Sequence, residues 1–243
     1  MGSEMCIRDS FEGLAVEEME TEWKKHPVLH LDLNAEKYDS SERLYDILSR
    51  QLSQWELQYG KGIDENTLSG RFSGIIRRAS EQTGCNVVVL VDEYDKPLLQ
   101  ALGNDGLLED YRKTLKAFYG VLKSADRYLR FAFLTGVTKF SQVSVFGDLD
   151  QLQDISMNYY YSTVCGITKE ELCKIFVPEI EHFGEINNLT FDEMVDALTK
   201  NYDGYHFHPR GEGMFNPFSV LNAFSNMEPV SYTHLTLPTT SRV

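Results

Sequence analysis

The feature that most constrains this chain is the run Val87-Val88-Val89-Leu90-Val91, which ends abruptly in Asp92-Glu93. Consecutive aliphatic residues, mostly β-branched, offer no alternating polar face, and the run is too short for a buried helix of ordinary length. Residues 86–91 are therefore predicted to form an interior strand of a parallel sheet, covered on both faces and flanked by neighbours. At its carboxyl end the chain turns acidic at once, and that end of an α/β sheet is where ligand crevices are built.

The rest of the pattern supplies the neighbours. Residues 27–33, PVLHLDL, alternate with Leu29, Leu31 and Leu33 on one face, which reads as a strand. Residues 41–59 carry Leu44, Ile47, Leu48, Leu52, Trp55 and Tyr59 at helical spacing behind a serine N-cap, with Trp55 assigned to the core. A polar break at 60–65 precedes a second helical stripe from Leu68 to Ala79, ending near Gly84. A third helix is predicted over 107–122, and LRFAFL at 129–134 is a second apolar strand. Strands alternating with helices predict a doubly wound α/β sheet. Pro97 is expected to break local structure. Further on, YYSTVC at 160–165 reads as one more strand, and Thr168 with Glu171 forms a capping-box pattern. Helices at 168–183 and 190–201, a Gly- and Pro-rich aromatic stretch at 202–218 and a short helix through Leu221 and Phe224 make a small helical lid.

The tip of the 86–91 strand carries the chemistry. Hydrolysis of a nucleotide needs one carboxylate to hold the water shell of Mg²⁺ and another to orient or deprotonate the attacking water. Asp92 is assigned to the metal and Glu93 to the water. Thr135, directly after the 129–134 strand, places a hydroxyl at the matching strand end, positioned to sense a phosphate or that water. Asp95 and Lys96 crowd the same turn. Two other readings stand beside this one. Asp92, Glu93 and Asp95 could ligate metal in a metal-dependent nuclease or phosphatase, or a degenerate nucleotide domain could serve as a non-catalytic scaffold. His206 and His208, the aromatics between Tyr202 and Phe218, and Arg127 with Arg130 are read as structural or surface residues.

Composition narrows the partners. Lys and Arg number 23 against 37 Asp and Glu, a net charge of −14, which disfavours direct contact with nucleic-acid phosphates. ATP stays open, because local backbone N–H groups and a metal hold it. Cys6, Cys85, Cys165 and Cys173 are spread without zinc or disulfide spacing and are expected to be buried free thiols. No apolar run reaches the ~20 residues of a membrane helix, and no secretory signal is evident, so a cytoplasmic location and no membrane partner are expected. Residues 1–10, MGSEMCIRDS, and 230–243, VSYTHLTLPTTSRV, resemble translated adapter read-through and are set aside; the natural gene is expected to continue past both.

The ordered segments VDEYDKPLL, YRKTLKAFYGVLKSADRYLRFAFLTGVTKFSQVSVF, LQDIS, CGITKEEL, YDGYHF and NPFSVLNAF resemble the AAA-ATPase-like family of bacterial proteins, over residues 11–229. The resemblance implies a partial P-loop NTPase core of the ASCE type at 11–166, a parallel sheet flanked by helices, with a helical lid at 167–229. It implies Walker B character for Asp92 and Glu93, a sensor-1 position for Thr135, and ATP and Mg²⁺ as cofactors of the parent protein. It also implies a PD-(D/E)XK nuclease-like domain beyond the lid, through which nucleic acid would be a partner. Oligomeric state is left open. The family's upstream phosphate loop has a GKS core, whereas the only GK here, Gly60-Lys61, is followed by Gly62 and Ile63. The fragment is therefore expected to be inactive or weak alone.

Overall fold

The computed structural model describes residues 11–34, 36–137 and 152–227, so the two terminal segments set aside above lie outside the described residues. The chain divides into two compact units, Met1–Leu152 and Gln153–Val243. That division falls ahead of the 166/167 boundary read from the sequence.

In the first unit a short helix α1 (Ala15–Met19) precedes β1 (Val28–Asp32), α2 (Ser41–Tyr59) and α3 (Leu68–Thr83). Then follow β2 (Val87–Asp92), α4 (Lys96–Gln100), α5 (Asp105–Tyr119), α6 (Val121–Ser124) and β3 (Leu129–Leu134). The strands form one parallel sheet in the order β1-β2-β3, which places the all-aliphatic strand in the centre. Leu29 and Leu31 stand beside Val89 and Val91, and all four are buried under the helices. From α2, Trp55 stacks on Phe72 of α3, and Phe72 stacks in turn on Phe118 of α5 with centroids 4.5 Å apart. This aromatic column fastens the helical layer.

Local chemistry sets the helix boundaries. Thr67 caps α3 by accepting from the Gly70 N–H at 3.0 Å, and Gly84 ends it in the left-handed conformation that a side chain resists. Ser40 sits at the N-cap position of α2 without a side-chain cap bond. The helix predicted over 107–122 is two helices, parted at Gly120, a poor helix former. Pro97 does not break structure but starts it. It lies in the first turn of α4, where its missing N–H has no partner to lose.

Two expectations about layering need correction. The 86–91 strand is covered on one face only: Val87, Val89 and Val91 are buried, but Val88 and Leu90 are half-buried. Beside them Val28 is 51% exposed and Phe131 52% exposed. Among the described residues the sheet is thus single-sided and not doubly wound. The cause is topological. Both crossovers, β1 to β2 and β2 to β3, step in the same direction, and right-handed connections then deliver every helix to the same face. The free thiols also differ from expectation: Cys85 and Cys173 are half-buried and Cys165 is exposed.

In the second unit residues 160–165, expected as a strand, instead begin in a 3-10 turn, Tyr159–Tyr161, and continue in further turns. Asn158 accepts from the Tyr160 N–H at 2.9 Å and Ser162 donates to the Tyr159 carbonyl at 2.8 Å. These short-range side-chain bonds curl the backbone and overrule the β-propensity of the tyrosines. Helices α7 (Lys169–Ile175), α8 (Val177–Asn187), α9 (Phe191–Tyr202) and α10 (Pro217–Asn226) follow, with a two-stranded antiparallel ribbon of β4 (Asp203–Tyr205) and β5 (Met214–Phe215) before α10. Thr168 with Glu171 and Thr190 with Glu193 close full capping boxes at α7 and α9. Leu172, Ile180, Phe183, Leu198, Phe215 and Val220 are buried at the centre of this unit. Asn216 caps α10 by accepting from the Ser219 N–H at 3.1 Å. Replacing Asn216 with Ala is expected to lower the unfolding free energy by about 1 kcal/mol, measured by urea denaturation.

Candidate functional site at the carboxyl edge of the sheet

Backbone bonds carry the sheet slightly past its strands and so fix the geometry of the edge. Leu33 donates to the Asp92 carbonyl at 3.1 Å and Thr135 donates to the Val91 carbonyl at 2.8 Å. Asp92 therefore leaves β2 still in register with both neighbours. Across the gap, the Thr135 hydroxyl donates to Asp92 Oδ1. The structure thus brings two of the predicted site residues into direct contact, from adjacent strands, at an exposed sheet end.

Glu93 stands next to this pair on a left-handed turn, with φ +54°. That conformation costs a non-glycine residue roughly 1–2 kcal/mol. Bonds on either side of it hold the turn: Lys96 donates to the Glu93 carbonyl at 3.0 Å, and Tyr94 donates to the Thr135 carbonyl at 2.9 Å. The turn lets Glu93 depart from the strand direction while Asp92 keeps it, so neighbouring residues can serve different partners.

Asp95 is fully buried, and its Oδ1 accepts from the Val137 N–H at 3.2 Å. It faces the segment leaving β3. Among the described residues no three His, Cys, Asp or Glu side chains gather as a metal-holding group. Gly136 is required by the crowding here, since a Cβ would lie 2.6 Å from Tyr94 and 2.7 Å from the Asp95 carboxylate.

One further candidate escaped the sequence reading. Asp32 closes β1 in register with Asp92, and parallel partners project to the same side, so a second carboxylate joins the row. Its Oδ1 accepts from the Asn34 N–H at 2.7 Å. The signal was present as a repeat of form: PVLHLD and VVVLVD both end an apolar strand in Asp.

The residues set aside earlier fall elsewhere. Gly60 ends α2 with φ +82°, and its carbonyl accepts from Arg78 at 2.8 Å, so the Gly60-Lys61 pair belongs to a link between helices. Arg127 donates to the Tyr128 hydroxyl at 2.7 Å and lies over that ring. His208 accepts from the Arg210 N–H at 3.0 Å and meets Tyr159 edge to face. Tyr202 and Phe215 are core residues, whereas Tyr205 and Phe218 point outward. Among the described residues no helix is long and apolar enough to cross a membrane.

A three-stranded parallel sheet flanked by helices is compatible with part of a P-loop-like NTPase fold. The chain belongs to the AAA-ATPase-like family, described as predicted AAA-ATPases, whose family model matches residues 4–146. A curated relative is the uncharacterized protein in the vnfD 5′ region of Azotobacter chroococcum mcd 1. It is 34% identical over 218 residues, covering 90% of this chain and 40% of the relative. This chain therefore spans less than half the length of that relative. No solved structure matches the chain significantly.

Proposed function

We propose that Asp92, Glu93 and Thr135 form the metal-and-water side of an Mg²⁺-dependent ATP-hydrolysing site that the full-length protein completes. The observation that carries this reading is the hydrogen bond from the Thr135 hydroxyl to Asp92, made between the tips of adjacent parallel strands. The donor set fits magnesium. A hard cation that keeps most of its water shell needs one or two carboxylates at a solvent-reached position, and Asp92 is exposed with Asp32 beside it. When bound, Mg²⁺ would neutralise charge developing on the phosphates.

In this reading Asp92 holds the metal's water shell and the Thr135 hydroxyl fixes the rotamer of that carboxylate. Glu93 orients the attacking water and takes its proton. The Thr135 hydroxyl is a single rotor, so it can turn from Asp92 toward a γ-phosphate and report its presence. Nucleic acid as a partner, through a carboxyl-terminal nuclease-like domain, belongs to the same proposal for the whole protein.

The backbone N–H cradle and lysine of a phosphate loop supply most of the phosphate affinity in such sites. Titration calorimetry of the 243-residue chain with Mg-ATP is accordingly expected to give no binding tighter than about 1 mM, a weak-binding free energy of about −4 kcal/mol. Micromolar affinity would show that the phosphates are held here. The activity itself is tested in the full-length protein by magnesium-dependent phosphate release from ATP, and its absence would end the ATPase reading.

A further inference from the structure

Asp95 occupies the N-cap position of α4, yet its side chain makes no cap bond to that helix. An N-cap aspartate ordinarily accepts from the second or third helical N–H, because those donors have no partner within the helix. Here the carboxylate instead reaches the segment that leaves β3 and accepts from the Val137 N–H. It is fully buried, which is costly for a carboxylate unless its oxygens are hydrogen-bonded. It also lies against Gly136, where a methyl group would collide with it.

Resting on the ATPase reading above, we propose that Asp95 is the positioning residue of the site. It clamps the segment leaving β3 so that the Thr135 hydroxyl stays on Asp92 and beside Glu93. Tyr94 N–H to the Thr135 carbonyl and Thr135 N–H to the Val91 carbonyl fix the residue before Gly136. The Asp95 carboxylate fixes the residue after it. Thr135 is thereby held on both sides, although the glycine following it is the most pliable type in the chain. Asp92, Glu93 and Asp95 then have three separate tasks within one turn, and the third acid touches no reactant.

Two measurements test this. In the 243-residue chain, Asp95→Ala is expected to speed amide hydrogen exchange at Thr135 and Val137 by at least ~10-fold while leaving Val89 in the strand centre unchanged. Unchanged exchange at Thr135 and Val137 overturns the clamp. In the full-length protein, Asp95→Ala is expected to lower kcat by ~30- to 100-fold, as misplacement of a reacting group by about 1 Å does, with the affinity for Mg-ATP within ~3-fold. Asp95→Asn keeps an acceptor for Val137 and is expected to recover most of that kcat. Wild-type kcat in Asp95→Ala, or a loss confined to nucleotide affinity, overturns the positioning role. A wild-type protein that hydrolyses no ATP, together with faster exchange in Asp95→Ala, sinks the ATPase reading and leaves the clamp standing.

Discussion

Glu93→Gln in the full-length protein is expected to lower the turnover of Mg-ATP by about two to three orders of magnitude, with nucleotide affinity within ~3-fold of wild type. Glutamine matches glutamate in size and can occupy the same left-handed turn, so the backbone bonds from Lys96 and Tyr94 that hold it are kept. What it loses is the ability to take a proton from water. Asp92 and its bond from Thr135 are untouched, so the metal side of the site survives. A variant that binds but does not turn over is the outcome that separates a water-activating role from a binding role. Steady-state phosphate release and equilibrium binding of a fluorescent ATP analogue give the two quantities. Turnover within a few-fold of wild type would remove Glu93 from the mechanism. A parallel loss of affinity would make it a ligand-holding residue.

How much of this was legible before the structure depends on the range of the interactions. The central strand and its acidic end could be read because residues 87–91 are aliphatic without interruption, and that pattern has few other uses. Helix α2 could be read residue by residue because Leu44, Ile47, Leu48, Leu52, Trp55 and Tyr59 all face the core that the spacing implied. The candidate pair of Asp92 and Thr135 followed from placing two strand ends side by side. The left-handed backbone at Glu93 left no trace, since glutamate is not a residue type that announces a positive φ. The inward turn of Asp95 was equally hidden, because the N–H it accepts from lies beyond the end of β3, 42 positions away. The open sheet face was missed for a different reason. Val88 and Leu90 carry the composition of a doubly covered strand, but coverage depends on which way the chain crosses over, and composition does not encode direction. At the start of 160–165 short-range bonds from Asn158 and Ser162 outweighed the β-propensity of Tyr160 and Tyr161, a competition that propensity alone does not register.

The second large effect concerns the helical layer behind the site, where Arg71→Ala is expected to lower the unfolding free energy by about 3–5 kcal/mol. Arg71 of α3 pairs with Glu56 of α2 through Nε at 2.7 Å and Nη2 at 2.9 Å. Its remaining donors reach the Ser49 hydroxyl at 2.7 Å, the Ser49 carbonyl at 3.1 Å and the Ser53 hydroxyl at 2.8 Å. Both side chains of the pair are only 9% exposed. Removing the guanidinium leaves the Glu56 carboxylate with little water and no countercharge, and that desolvated charge causes most of the loss. The pH dependence identifies the cause. The hydrogen bonds from Arg71 hold the Glu56 carboxyl below its usual range, against an opposing push from burial. A depressed folded-state value means the pair's contribution is fully present above the unfolded glutamate pKa of about 4.3 and is lost as pH falls through the lower folded value. In Arg71→Ala the stranded carboxylate is relieved by protonation, so the stability gap to wild type narrows on acidification. Replacing both partners, as Glu56→Leu with Arg71→Met, leaves no buried charge and is expected to recover most of the loss. Urea denaturation of the three proteins between pH 4 and 7, with unchanged m-values, checks each step. An Arg71→Ala loss below about 1 kcal/mol, in the range of an exposed ion pair, would mean that water reaches Glu56 and that α2 and α3 are held by their apolar stripes alone.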